Sequence, residues 1–148
     1  MTRKTLIITD ADRHQLEALL DSEFAKVVRP SQLCDDLRAE LNRAHIVSGD
    51  EVPEDVVTMN STVTLRDLES GETETYTLVH PSDADIANNK LSVLAPIGTA
   101  VLGQRVGDKL RWPVPAGWRR LKVERVVYQP EREGIYSVAG PLHGTGYL

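Results

Sequence analysis

The apolar positions of this chain change period once, near residue 55. Before that point they recur at helical spacing. Leu6-Ile7-Ile8 is a short apolar run and is predicted to dock as an extended segment. Thr9 or Asp10 can cap a first helix by accepting a free first-turn amide, and Asp12 adds favourable negative charge there. Leu16, Leu19 and Leu20 share one face of that helix. Residues 21–30 read as a connector with Phe24 as its anchor. Ser31 is placed to cap a second helix, in which Leu33, Leu37, Leu41 and Ala44 form a stripe. Asp35 and Asp36 near its start and Arg43 near its end suit the helix dipole. Two amphipathic helices on a short connector predict an antiparallel hairpin, a short coiled coil, over residues 1–47.

Residues 48–55, polar with Gly49 and Pro53, read as a linker. Beyond it Val57, Met59, Ser61, Val63 and Leu65 alternate as a half-buried strand does. A turn at Gly71 leads to a second strand over Thr75–Val79. After a polar loop, Leu91–Leu94 reads as a strand end. Pro96 suits the first turn of a short helix, where its missing N–H is not needed, and Gly103 suits its stop. Val106-Gly107-Asp108 turns into a strand from Lys109 to Trp112, residues 113–117 break it, and Leu121–Tyr128 forms the last strand. The fold class is therefore α+β: a helical hairpin, then an antiparallel sheet of four or more strands with one short helix, over residues 56–130. Residues 131–148 are glycine-rich without period and read as a loose tail.

Charge and chemistry narrow this picture. With 22 acids against 17 bases the chain carries −5, which excludes a protein that coats nucleic acid over its whole surface. The single cysteine, Cys34, excludes an intramolecular disulfide and a cysteine metal cluster. The first residues lack a secretion-signal core, and no apolar run approaches the ~20 residues of a membrane span. A cytoplasmic monomer without a membrane partner is expected. There is no phosphate-binding glycine loop, and His14, His45, His80 and His143 do not pair at metal-ligand spacing. No metal, cofactor or catalytic group is assigned. Between 103 and 125 the charge reverses: Arg105, Lys109, Arg111, Arg119, Arg120, Lys122 and Arg125 stand against Asp108 and Glu124. That stretch is either a solvated strand face or a docking surface for an acidic partner, protein or nucleic acid, and without aromatics interleaved over the basic positions single-strand stacking is not expected. Trp112 and Trp118 flank its central turn and read as cross-strand packing. Asp21 and Glu23 fall at the hairpin tip, as a soluble turn or as carboxylates able to share a cation with a partner.

The stretch "LSVLAPIGTAVLGQRVGD" resembles the C-terminal signature of the bacterial Gre transcript-cleavage factors, through Ser92, Pro96, Ile97, Gly98, Ala100, Leu102, Gly107 and Asp108. "MNSTVTLRDLESGETETYTLV" is similar to that family's preceding pair of strands. Three departures point to the Rnk group, the regulators of nucleoside diphosphate kinase. Ala95 stands where a Gre factor has a serine, the helices reach only ~15–20 Å, and Asp21-Ser22-Glu23 lacks the Asp-x-x-Glu spacing of a Gre tip. "DVVTMNS" and "YQPE" fit the same group. The resemblance implies an FKBP-like C-terminal domain, and RNA polymerase as partner near the rim of its secondary channel. It further implies competition with Gre factors, and it does not imply transcript cleavage by this chain; no direct sequence-specific DNA binding is expected. Ser92, Ala95, Pro96, Ile97, Arg105 and Asp108 are then the candidate polymerase contacts. Lys109, Arg111, Arg119, Arg120 and Lys122 are a candidate basic surface. The fold alone also suggests a peptidyl-prolyl isomerase, but only Tyr76, Trp112, Trp118 and Tyr128 are available to line its pocket. Direct control of nucleoside diphosphate kinase is a further alternative, without a nucleotide site to support it.

Overall fold

The computed structural model describes residues 5–27 and 31–135, and for residues 112–114 the backbone only. Strand β1 (Ile7–Thr9) runs into helix α1 (Asp10–Leu20). A five-residue helix α2 (Glu23–Val27) and helix α3 (Gln32–Arg43) follow, and α3 returns to strand β2 (His45–Val47). β1 and β2 pair in parallel, Ile8 against Ile46. Contacts between the outgoing and returning chain run in reverse order. The His45 N–H donates to the Leu6 carbonyl at 2.7 Å, whereas Arg38 donates to the Leu20 carbonyl at 3.3 Å. The helices are thus antiparallel, as their spacing predicts.

One expected helix end is present, and one cap and one anchor are not. Thr9 caps α1, its hydroxyl accepting the Asp12 N–H at 3.1 Å. Ser31 makes no such bond, because its own backbone already sits in the helical region. Phe24 is no anchor: it lies on α2, which buries none of its residues, and is 49% exposed.

The second half is a five-stranded sheet in the order β5-β4-β3-β7-β6. It comprises β3 (Thr62–Asp67), β4 (Thr73–Val79), β5 (Lys90–Ser92), β6 (Lys109–Val114) and β7 (Gly117–Tyr128), with the short helix α4 (Pro96–Val101) between β5 and β6. All neighbours are antiparallel except β4 and β5, which are parallel. β3 begins later than the alternation suggests. The Met59 N–H is taken by the Asp12 carboxylate, and Asn60 adopts the left-handed conformation, so the ladder starts at Thr62. β6 in turn runs through Pro113 to Val114, which an edge strand tolerates because one side needs no donor.

A single hydrophobic core unites both halves. Ile8, Leu16, Leu19, Leu37 and Leu41 from the helical part pack in one cluster with Val57, Leu65, Leu78, Leu94, Leu102 and Val123. Two boundaries move accordingly. Residues 48–55, read as a linker, are tied down: Val52 is buried, Gln129 donates to the Pro53 carbonyl at 2.9 Å, and Asp55 pairs with Arg105. The first residues of the expected tail are also folded. Pro130–Glu133 forms a 3-10 turn, and Glu131 is buried against Thr58. The remainder of that tail, 136–148, lies outside the described residues. No described helix is long and apolar enough to cross a membrane.

Candidate functional site

The stretch from β5 through α4 to the turn before β6 is held by its own backbone. Val93 N–H donates to the Val79 carbonyl at 2.9 Å, continuing the parallel pairing of β5. The Ser92 hydroxyl accepts the Leu94 N–H at 3.0 Å, and the Ser92 carbonyl accepts the Ala95 N–H at 3.0 Å. That carbonyl lies so close to α4 that a Cβ on Gly98 would come within 2.0 Å of it, so only glycine fits. The Thr99 hydroxyl donates to the Val93 carbonyl at 2.7 Å and closes the unit. Ala95 is the N-cap, extended and without a side-chain bond, and Pro96 follows, exposed, in the first turn. Gly103 ends the segment at φ +79, donating to the Val57 carbonyl and accepting from Ile7 of β1.

The sequence candidates therefore fall into groups. Ser92, Ala95, Pro96 and Ile97 sit together at the mouth of α4, with Pro96 the most open of them. Arg105 and Asp108 are occupied within the fold. The Asp108 carboxylate accepts the Arg105 N–H at 2.8 Å and so closes the turn. The Arg105 guanidinium binds Asp55 at 2.9–3.2 Å. Arg119 pairs with Asp67 at 3.1 Å and Arg120 with Glu69 at 3.4 Å. Lys109, Arg111 and Lys122 enter no ion pair among the described residues. At the hairpin tip Asp21 pairs with Arg38 at 3.3 Å and Glu23 with Lys26 at 3.0 Å. Among the described residues no cluster could hold a metal ion. Cys34 is half-buried, its thiol 3.8 Å from the Ala25 carbonyl.

Between α3, α4 and β6 lies a groove of about 600 Å³. Leu6, Leu33, Ala100 and Leu110 give it apolar surface, Asp36 and Glu40 line it from α3, and Lys109 and Arg111 from β6. Pro96 stands on its α4 wall. An open groove lined by both charge signs suits a protein segment better than a small ligand, which needs an enclosed pocket.

One polar cluster escapes sequence reasoning. Asp12 is 2% exposed, and its carboxylate accepts the Met59 N–H at 3.0 Å. Burial raises its pKa to about 7, opposed by that bond and reinforced by the nearby Glu131 charge. Burial also raises the pKa of Glu131, opposed by the Thr58 hydroxyl, which donates to it at 2.7 Å. Both carboxylates face a small cavity with Asn60 and Tyr128 where α1 meets the sheet. The Asp12 position in a first helical turn reads as dipole compensation. Its burial is set by the distant Met59 backbone, which no local spacing reveals.

The architecture defines a class: a short antiparallel helical arm set on a Gre-type C-terminal unit. The family described as transcription elongation factor, GreA/GreB, C-term matches residues 52–128, and the Rnk N-terminus family matches residues 4–47. The chain belongs to the Rnk family. It is 45% identical over 137 residues to the regulator of nucleoside diphosphate kinase of Escherichia coli K12, covering 92% of this chain and 98% of that protein. It is 35% identical over 94 residues to the transcription elongation factor GreA of Trichlorobacter lovleyi, covering 64% of this chain and 60% of that one. The solved structure of a GreA/GreB elongation factor from Nitrosomonas europaea superposes with a TM-score of 0.69 at 41% identity, covering 85% of this chain and all of that one. The chain is thus related to regulators and elongation factors.

Proposed function

We propose that this chain is a non-catalytic, cytoplasmic regulator of transcription. It binds RNA polymerase near the rim of the secondary channel through its C-terminal unit and competes there with Gre-type elongation factors. The observation that carries the reading is the pairing of a complete Gre-type unit with a short arm. α1 has 11 residues and α3 has 12, a reach of about 17 Å. Electrostatic assistance to a reaction acts at contact distance. A factor that docks at the mouth of a deep channel with so short an arm occupies the site without delivering a carboxylate to the reacting centre. Asp21 and Glu23, already paired with Arg38 and Lys26, fit that division. The docking face is the mouth of α4, with Ser92, Ala95, Pro96 and Ile97, continued by the adjoining groove.

The test is transcript cleavage in backtracked elongation complexes. The chain alone leaves the transcript intact, and added to a Gre factor it suppresses Gre-stimulated cleavage in proportion to its concentration. Cleavage by the chain alone that disappears in Asp21→Ala/Glu23→Ala contradicts the reading. The E. coli relative's description supports a second reading, an effect on nucleoside diphosphate kinase. Recovery of the kinase and not polymerase on the immobilised chain favours that reading; recovery of polymerase alone makes any effect on the kinase transcriptional.

A further inference from the structure

The outer face of the β6–β7 hairpin is assembled against its own electrostatics. Lys109 lies directly opposite Lys122, and Arg111 directly opposite Arg120. On the other side of β7, Arg66 of β3 is also opposite Lys122. Directly opposed residues share a face with Cβ atoms about 5 Å apart, where like charges destabilise the pair. Three cations thus stand abreast across three strands. Arg66 is neutralised by Glu124 at 3.1 and 3.3 Å. Arg120 is held by Glu69 through two contacts of 3.4 Å, with side chains 53% and 60% exposed. Lys109, Arg111 and Lys122 have no ion pair among the described residues, and residues 1–4, 28–30 and 136–148 contain no Asp or Glu that could supply one.

An aromatic group completes the face. Trp118 is 56% exposed, and the Arg111 guanidinium lies 4.6 Å from its ring centre. Its register partner is Pro113, so it continues the row of Arg120 and Lys122 along β7. Glu124 also feels Lys122, whereas Lys109 and Arg111 face no carboxylate on the hairpin, and an exposed indole beside them is a base-stacking platform next to phosphate-binding charge.

We propose that this hairpin face binds a single-stranded nucleic acid. The phosphates lie along Lys109, Lys122 and Arg111, and one base stacks on Trp118. Side chains on one face of a strand recur every ~6.7 Å, which an extended nucleotide backbone can follow. An acidic peptide satisfies the cations equally but gives the indole no flat partner, and Trp118 decides between the two. The rest of the chain is net acidic, which confines binding to this hairpin. Lys109 and Arg111 also line the groove beside α4, opposite Asp36 and Glu40, but the test contains no polymerase, so the inference stands or falls separately from the docking reading.

The experiment is fluorescence anisotropy of a labelled oligouridine of about twelve nucleotides with the intact protein, between about 20 and 200 mM KCl. Saturable binding is expected, with a log–log salt slope of about −2, the release expected for three phosphates. Lys109→Glu weakens binding about tenfold or more while Tm stays equal or rises, since a glutamate opposite Lys122 exchanges repulsion for attraction. Trp118→Ala weakens binding about fivefold or more with the salt slope unchanged. Absence of saturable binding, or binding indifferent to Lys109→Glu, overturns the proposal. Displacement of the oligouridine by equimolar poly-glutamate also overturns it and assigns the face to an acidic protein segment.

Discussion

At the residue scale, two positions carry more than their chemistry suggests. Gly98 meets the Ser92 carbonyl where any Cβ would sit 2.0 Å away. Gly98→Ala forces β5 and α4 apart and costs about 3 kcal/mol, a fall in Tm of about 9 °C that calorimetry resolves. Asp12 is the second. Its folded pKa, about 7, stands above its ordinary 3.8. A raised folded pKa contributes stability that is complete below the unfolded value and is lost as pH rises through the folded one. Glu131 shifts the same way. Asp67 and Glu124 shift downward, held by backbone N–H groups and by Arg66 respectively, and their contribution is lost only on acidification. Between about pH 5 and 7 the buried pair therefore dominates, and stability to urea falls across that window and levels off above it. Asp12→Asn keeps an acceptor for the Met59 N–H and flattens the profile. An unchanged slope in that variant assigns the pH dependence elsewhere.

At the scale of elements, α4 is short and poorly capped. Ala95 is extended as an N-cap should be, yet offers no side-chain acceptor. Ala95→Ser supplies one and raises stability by about 1 kcal/mol, read as an increase in urea midpoint at constant m-value. The elements were legible in the sequence where the signal is local. Leu16, Leu19 and Leu20 gave α1, the Leu33–Leu37–Leu41 stripe gave α3, and Pro96 with Gly103 bounded α4. What escaped depends on distant partners. β2 exists because β1 lies beside it. Pro113 stays in β6 because that strand is an edge, and topology decides which strand is an edge. The candidate site was legible in the same measure. The mouth of α4 follows from a proline, a glycine and an apolar run. The neutralisation of Arg105, Arg119 and Arg120 required Asp55, Asp67 and Glu69, each about fifty residues away in sequence.

At the scale of the whole molecule, the arm and the sheet are one cooperative unit. Leu16 and Leu37 share a core with Leu65 and Leu102, Asp12 bonds the Met59 backbone, and Gly103 bonds β1. A single calorimetric transition is expected, with equal calorimetric and van't Hoff enthalpies; two separated transitions would show the halves to be independent. A rigid arm set at a fixed angle on a docking unit is what a competitor for a shared site requires, since a tethered arm would spend binding energy on ordering. The most direct measurement is displacement of a fluorescently labelled Gre factor from core RNA polymerase by the intact chain, followed by anisotropy. Complete displacement is predicted, with the midpoint shifted at least about tenfold by Pro96→Asp, a charge placed at the mouth of α4. A Gre factor that remains bound at saturating concentrations of the chain contradicts the proposed function.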